Sequence, residues 1–465
     1  MQHSFGEMSL ISPSTVTAAA LLPAVVATLL AVIARRARLT RGARRRDAWP
    51  LAIGVATGAV IGALVGVLIG WLISDVLVVF GFGLSASTKR WAALGTAELG
   101  VAIALIVLSR SSVTGIGGFA APPRSLRIAH QMLAVVLAPL AVLSGAVGIN
   151  ADVEEYPTVA AAFGLIRVTH LDMRSIPRPA PDMNADTSAP PMETSFTPST
   201  DQPVRGRVGY VEIPGAESGF RARDAIVYLP PAALVPDAPE LPVLIAFAGQ
   251  PGAPLDLIAS ARLDRILDEY AADHHGLAPI VVIPDQLGGQ HKNPMCIDSP
   301  LGNSASYLTR DVPTWIRTNL RVSSSPSHWA VMGFSQGGTC AAQLGASRPD
   351  LFSGLVDISG ELGPFAGRTT VDVAFGGDQD AYDAAFPASI MARNAPYPSS
   401  TAMFCVGDQD QKFRPVAEAL DAAGRSAGMD SRLHVATGSA HDWRTVRSCA
   451  KEALPLLGQR LGMTP

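Results

Sequence analysis

Apolar positions follow two regimes along this chain. Up to about residue 150 they form long runs, Thr15–Ala34, Leu51–Leu77, Trp91–Leu108 and Met132–Val147, each close to the roughly 20 helical residues that cross a bilayer. Beyond residue 205 they come in short blocks that alternate with amphipathic stretches. The first regime predicts a four-helix transmembrane domain over 1–150. The second predicts an α/β domain over 205–465, because continuous apolar strands separated by amphipathic helices indicate a mostly parallel sheet covered on both faces.

Between them, residues 151–204 read as a juxtamembrane segment and linker. Tyr156, Val159, Phe163, Leu165 and Ile166 give residues 151–175 an amphipathic character suited to the membrane surface. Ile176–Val204 holds seven prolines among Ser, Thr and Asp. It reads as a stiffened tether with too little apolar area to fold alone.

The predicted strands are Gly209–Ile213, Ala225–Tyr228, Val243–Phe247, Ile280–Ile283, Trp329–Gly333, Gly354–Ile358, Ala402–Val406 and Arg432–Ala436. The predicted helices are Leu257–Ala272, Ala305–Asn319, Gln336–Ala346, Phe413–Ala427 and Asp442–Leu461. The first two strands precede the alternation, as an antiparallel edge would.

Charge orients the membrane half. The first apolar run follows Glu7 with no Lys or Arg and is too long for a signal h-region, so it is expected to be a retained span. Arg35, Arg36, Arg38, Arg41, Arg44, Arg45 and Arg46 crowd the next loop, which marks it cytoplasmic. With four spans, everything after the last then lies outside. Glycines at 54, 58, 62, 66 and 70 form a G-x-x-x-G stripe, expected to let a neighbouring helix of the same bundle approach closely. Asp75 and Glu98 are expected near the outer span ends, within reach of solvent.

Composition narrows the rest. A net charge of -3 without a basic stripe argues against a nucleic-acid partner. The four cysteines show no metal-ligand spacing, so neither zinc nor any other cofactor is expected.

The densest chemistry lies at Gly333-Phe334-Ser335-Gln336-Gly337-Gly338. An apolar strand runs into Gly-x-Ser-x-Gly and a helix follows at once. That order pushes a serine hydroxyl out of a cramped turn and aims helix N–H groups at developing negative charge. A nucleophilic serine needs a base, and the base needs an orienting carboxylate. Gly407-Asp408-Gln409-Asp410 and Gly438-Ser439-Ala440-His441 follow later strands, at strand ends where catalysis collects in open α/β sheets. His441 is the expected base and His291 a rival. Asp410 is preferred as the acid, with Asp408 competing for the role. The oxyanion would be held by backbone N–H groups of Gln336 and Gln250. Gly377-Asp378-Gln379-Asp380 reads as a loop.

Residues of about 206–445 resemble the esterase family of α/β-hydrolases that includes esterase D-type enzymes and the secreted mycolyltransferases. The resemblance rests on Tyr307–Ile316, on the turn around Ser335 and on His441-Asp442-Trp443. Many relatives carry His-Gly or Asp-Gly where this chain has Ala248-Gly249. Mycolyltransferases use a glutamate acid, so Asp410 agrees better with the esterase branch. The resemblance implies a serine esterase or acyltransferase, which the apolar spans would anchor in the membrane and the arginine-rich loop would face to the cell exterior. Its location beside the bilayer favours a lipid or lipid-linked glycan ester of the envelope as substrate. Mycolyltransferase-like transfer to a sugar hydroxyl is one alternative, and a non-catalytic receptor or scaffold with a hydrolase fold is another. An outward domain permits disulfides. A Cys296–Cys340 bridge would brace the nucleophile turn, whereas Cys405 reads as a buried thiol.

Overall fold

The computed structural model describes residues 6–39, 49–77, 83–110, 124–177 and 190–465. It contains two compact units, Met1–Leu165 and Ile166–Pro465.

In the first unit the helices are α1 (Pro13–Leu39), α2 (Trp49–Trp71), α3 (Ala86–Arg110) and α4 (Arg124–Val153). Among the described residues, three segments are long and apolar enough to cross a membrane: Ile53–Val76, Ala86–Val107 and Gln131–Val153. The expected fourth span, Thr15–Ala34, falls in α1, where the described apolar run Pro13–Val26 is shorter. Residues 40–48, 111–123 and 178–189 lie outside the described residues, and with them Arg41, Arg44, Arg45 and Arg46 of the orienting loop and the middle of the tether.

The glycine stripe packs within the unit. A Cβ at Gly58 or Gly62 would strike the α3 backbone at Gly100 or Thr96, so the missing side chains are what let α2 and α3 touch. Asp75 pairs with Lys89 at 2.7 Å. Because α3 starts at Ala86, Glu98 lies near the middle of its span and not at the outer end expected for it.

The second unit is built on an eight-stranded sheet: β1 (Arg207–Val211), β2 (Ala225–Leu229), β3 (Val243–Phe247), β4 (Ile280–Ile283), β5 (Trp329–Phe334), β6 (Gly354–Ile358), β7 (Thr401–Gly407) and β8 (Asp430–Ala436). The spatial order is β1-β2-β4-β3-β5-β6-β7-β8. β1 pairs antiparallel with β2, and β2 antiparallel with β4; the remaining pairs are parallel. Every residue of β2 to β7 is buried, whereas the edge strands β1 and β8 are partly exposed. Central strands with both faces covered need no polar alternation, which is why they read as continuous apolar blocks.

Several local readings change. The expected helix Leu257–Ala272 is two pieces, Asp256–Ala259 and Leu263–Asp273, separated by Arg262 at φ 56°. Gly377–Asp380 is not simply a loop: Asp378 caps the helix Gln379–Ala384, accepting the Ala381 N–H at 2.9 Å. The end of the tether is docked. Met192 and Glu193 donate backbone N–H groups to Gly462 and Met463, and the Glu193 carboxylate lies 2.9 Å from His274. Upstream, Thr169 and Leu171 bond to Tyr210 of β1 and extend the sheet edge.

Candidate active site

The strand β5 ends at Phe334, and helix α5 (Gln336–Ser347) starts two residues later. Ser335 between them sits at φ 57°, ψ -121°, a conformation that costs a non-glycine residue on the order of 1–3 kcal/mol. Its neighbours make the turn possible. A Cβ at Gly333 would meet the Gly337 carbonyl, and one at Gly337 would meet the backbone of Phe247 and Ala248. The Ser335 N–H donates to Ile358 at 2.8 Å, which fixes the turn to β6.

His441 Nε2 lies 3.0 Å from Ser335 Oγ, and its Nδ1 lies 3.1 Å from Asp410 Oδ2. The Asp410 carboxylate also accepts the Phe413 N–H at 3.1 Å. With Nδ1–H donating to the carboxylate, Nε2 is left to accept the serine proton. The His441 and Asp410 side chains are only 5% and 3% exposed, so their attraction is weakly screened by solvent. The imidazole is also held between rings, with Phe413 stacked at 4.4 Å and Phe334 at 4.8 Å between centroids.

Geometry separates the two competing aspartates. Asp410 reaches the histidine. Asp408 instead accepts the N–H groups of Gly438 at 2.9 Å and Ser439 at 3.2 Å, tying the acid-bearing loop to the histidine-bearing loop. Asp442 caps helix α6 (Trp443–Arg460), accepting from Thr445 N at 2.9 Å and Ala440 N at 2.8 Å. His291 contributes only its carbonyl, which accepts the Gln250 side-chain amide at 3.4 Å.

The loop after β3 lies against the nucleophile, since a Cβ at Gly249 would stand 3.5 Å from Ser335 Cβ. Gln250 follows in that loop, and Gln336 opens α5, so the two expected donor segments flank Ser335. Arg223 binds Asp285 at 2.8 and 2.9 Å and the Gly252 carbonyl at 2.9 Å, which anchors the far side of the loop.

Two further carboxyls lie under this face, neither of them among the site residues expected from sequence. Asp357 of β6 is buried and accepts the Gly360 N–H at 2.7 Å; burial pushes its carboxyl up to about 7. Burial likewise raises Glu361 to about 7, against the pull of Lys412. A carboxylate in an apolar strand was the available signal for Asp357.

All four cysteines are paired. Cys296–Cys340 forms with a Cα separation of 5.5 Å and ties the loop after β4 to α5. Cys405 is not a thiol: it is bonded to Cys449, with a Cα separation of 6.0 Å. Strand position made Cys405 look like core, but α6 packs its own buried cysteine on that strand.

Residues 219–448 match the family described as "Putative esterase". The C-terminal domain belongs to that esterase family. An uncharacterised protein of Corynebacterium glutamicum is 29% identical over 341 residues, covering 72% of this chain and 77% of its own length. Among solved structures, the esterase domain is similar to an S-formylglutathione hydrolase from Agrobacterium tumefaciens (18% identity, TM-score 0.47, 57% of this chain and 98% of that one). It is also similar to a ferulic acid esterase (17%, 0.44, 55% and 98%) and to MPT51 of Mycobacterium tuberculosis (18%, 0.40, 54% and 98%).

Proposed function

We propose that the chain is a membrane-anchored serine esterase or acyltransferase, with its esterase domain outside the membrane and Ser335, His441 and Asp410 as its catalytic triad. The hydrogen-bonded chain from Ser335 through His441 to Asp410 carries this reading. Ser335 Oγ attacks an ester carbonyl as its proton passes to His441 Nε2. The carbonyl oxygen becomes an oxyanion, held by the N–H groups of Gln336 and Gln250. Collapse expels the alcohol, which takes the proton from His441, and leaves an acyl-enzyme. Water, or a sugar hydroxyl, then attacks that acyl carbon with His441 as base, and collapse breaks the bond to Ser335 Oγ, which takes its proton back from His441 as the acid or new ester leaves. Asp410 holds the imidazole tautomer and stabilises the imidazolium.

Two observations support the outward placement. The arginine-rich first loop favours a cytoplasmic position, and two disulfides in one domain suit an oxidising compartment. Anchoring beside a bilayer favours a lipid or lipid-linked glycan ester of the envelope as substrate.

Labelling membranes with a serine-directed fluorophosphonate tests the assignment. Wild-type protein is expected to label and Ser335→Ala is not. Unlabelled wild type would point to a non-catalytic scaffold, and a labelled alanine variant would move the nucleophile elsewhere.

A further inference from the structure

The walls of the site around Ser335 are joined by a buried side-chain relay. Gln286 follows β4 and is 1% exposed. Its Nε2 donates to the Ala248 carbonyl at 2.6 Å and to Gln336 Oε1 at 3.1 Å. Gln336 is 5% exposed, and its own Nε2 donates to Cys340 Sγ at 3.2 Å, with Cys296 Sγ at 3.9 Å.

The order of atoms along the relay is forced. The Ala248 carbonyl has only lone pairs to offer, so Gln286 must turn its NH2 toward it. The second hydrogen of that NH2 then requires an acceptor, which is Gln336 Oε1. Gln336 is left presenting its NH2 to the disulfide, a weak acceptor that no covalent freedom can swing away. Ala248 lies two residues before Gln250, and Gln336 is the residue after the nucleophile. Gln286 therefore reaches from β4 across the end of β3 to the helix after β5, and touches both segments expected to supply oxyanion donors.

We propose that Gln286, acting through Gln336 and the Cys296–Cys340 disulfide, is a positioning residue that sets the separation of the two oxyanion donors. This rests on the triad and oxyanion assignment above. A contact of this kind acts on the transition state, where the oxygen carries charge, more than on substrate binding. Its signature is thus a loss in kcat with little change in KM.

The test uses the full chain in its membrane, with active sites counted by fluorophosphonate titration and turnover followed on a p-nitrophenyl ester. Gln286→Met keeps the side-chain volume and removes both donated bonds. Gln336→Met cuts the same relay from its other end and leaves its backbone N–H in place. Each is expected to lower kcat roughly 100-fold, the scale of a 1 Å misplacement, with KM within about twofold. The rate of fluorophosphonate inactivation should fall in parallel. The double variant should lose no more than either single one, because one relay is cut twice.

Unchanged kcat per titrated site, a loss confined to KM, or additive losses would each overturn the proposal. So would failure of both variants to accumulate as folded protein, which would make the contact purely structural. If wild type itself does not label, the triad reading has failed instead; the two outcomes are distinct.

Discussion

Asp408 accepts the Gly438 N–H at 2.9 Å, so the loop after β7 is bolted to the loop after β8 two residues before Asp410 meets His441. The two aspartates divide one task. Asp408 fixes the distance between loops, and Asp410 uses that distance. Asp410→Ala should lower kcat by roughly 10³ to 10⁴, because the imidazole loses both its tautomer and its counter-charge. Asp408→Ala should cost roughly tenfold in kcat, together with about 1–3 kcal/mol of stability from two orphaned N–H groups. Steady-state kinetics and urea unfolding of the two variants check this. An Asp408 variant as inactive as the Asp410 one would reverse the assignment.

The Phe413 ring gives a second handle on His441. It stacks on the imidazole at 4.4 Å, and Lys412 Nζ lies 4.6 Å from the same ring's centroid. Phe413→Ala removes one wall of the slot, and the freed imidazole can rotate away from Ser335. We expect kcat to fall on the order of 10- to 100-fold. Phe413→Leu, which refills the slot without an aromatic face, should recover part of that loss. If leucine and alanine variants behave alike, the slot does not hold the ring.

The β5–turn–α5 unit and the order Ser335, Asp410, His441 were legible in sequence because each depends on local chemistry. A strained turn needs Gly333 and Gly337, and strand ends carry short polar runs. All eight strands were visible because buried parallel strands are apolar blocks. What escaped is long-range or brief. The choice between Asp408 and Asp410 depends on a turn whose path no periodicity encodes. Three helices between β6 and β7, Thr370–Phe375, Gln379–Ala384 and Pro387–Asn394, are too short to show an apolar stripe. Gln286, an ordinary polar residue after a strand, gains its meaning only from Ala248 and Gln336. Cys449 sits 44 residues from Cys405, and only the packing of α6 on β7 brings them together.

That second disulfide should contribute mainly to stability. A cross-link spanning 44 residues removes about 4 kcal/mol of unfolded-chain entropy on the loop-closure estimate. Cys405 and Cys449 are both buried, and neither touches the Ser335 turn in the hydrogen bonds described above. Replacing the pair with Cys405→Ala and Cys449→Ala should lower the denaturant midpoint while leaving kcat at 25 °C within about twofold. The Cys296→Ala, Cys340→Ala pair should lower both, since it also removes the end of the Gln336 relay. Equal effects on kcat from the two pairs would sink the distinction.

Two raised carboxyls, Asp357 buried and Glu361 partly so, predict an unusual slope of stability with pH. Asp357 and Glu361 are both raised to about 7 in the folded domain, chiefly by burial. Unfolded, they release their protons near pH 4. Between those limits the folded state binds more protons, so stability is fully present below about pH 4 and is lost as pH rises through about 7. Asp357→Asn fixes that position neutral and preserves the acceptor for Gly360. It should be more stable than wild type at pH 8, by about 2–4 kcal/mol, and nearly equal at pH 4. Adding Glu361→Gln should reduce the slope further, leaving the contribution of the other carboxyls raised by burial, Asp256 and Asp264. Urea titrations from pH 4 to 8 give the answer, and parallel wild-type and variant curves would refute it.

Orientation can be read from the cysteines themselves, since all four lie in the esterase domain and are paired. A domain held in the reducing cytoplasm would keep its thiols, whereas one outside the membrane would oxidise them during folding. Cells lysed straight into denaturant containing excess maleimide, which opens these buried positions, should therefore show no modification at Cys296, Cys340, Cys405 or Cys449. After denaturation and reduction all four should react. Protease added to spheroplasts should also remove the esterase domain, while a fragment containing α2, α3 and α4 stays with the membrane. Alkylation of all four cysteines without reductant, together with a protected domain, would place Ser335 on the cytoplasmic side. The envelope-ester reading would then fail even if the triad assignment stood.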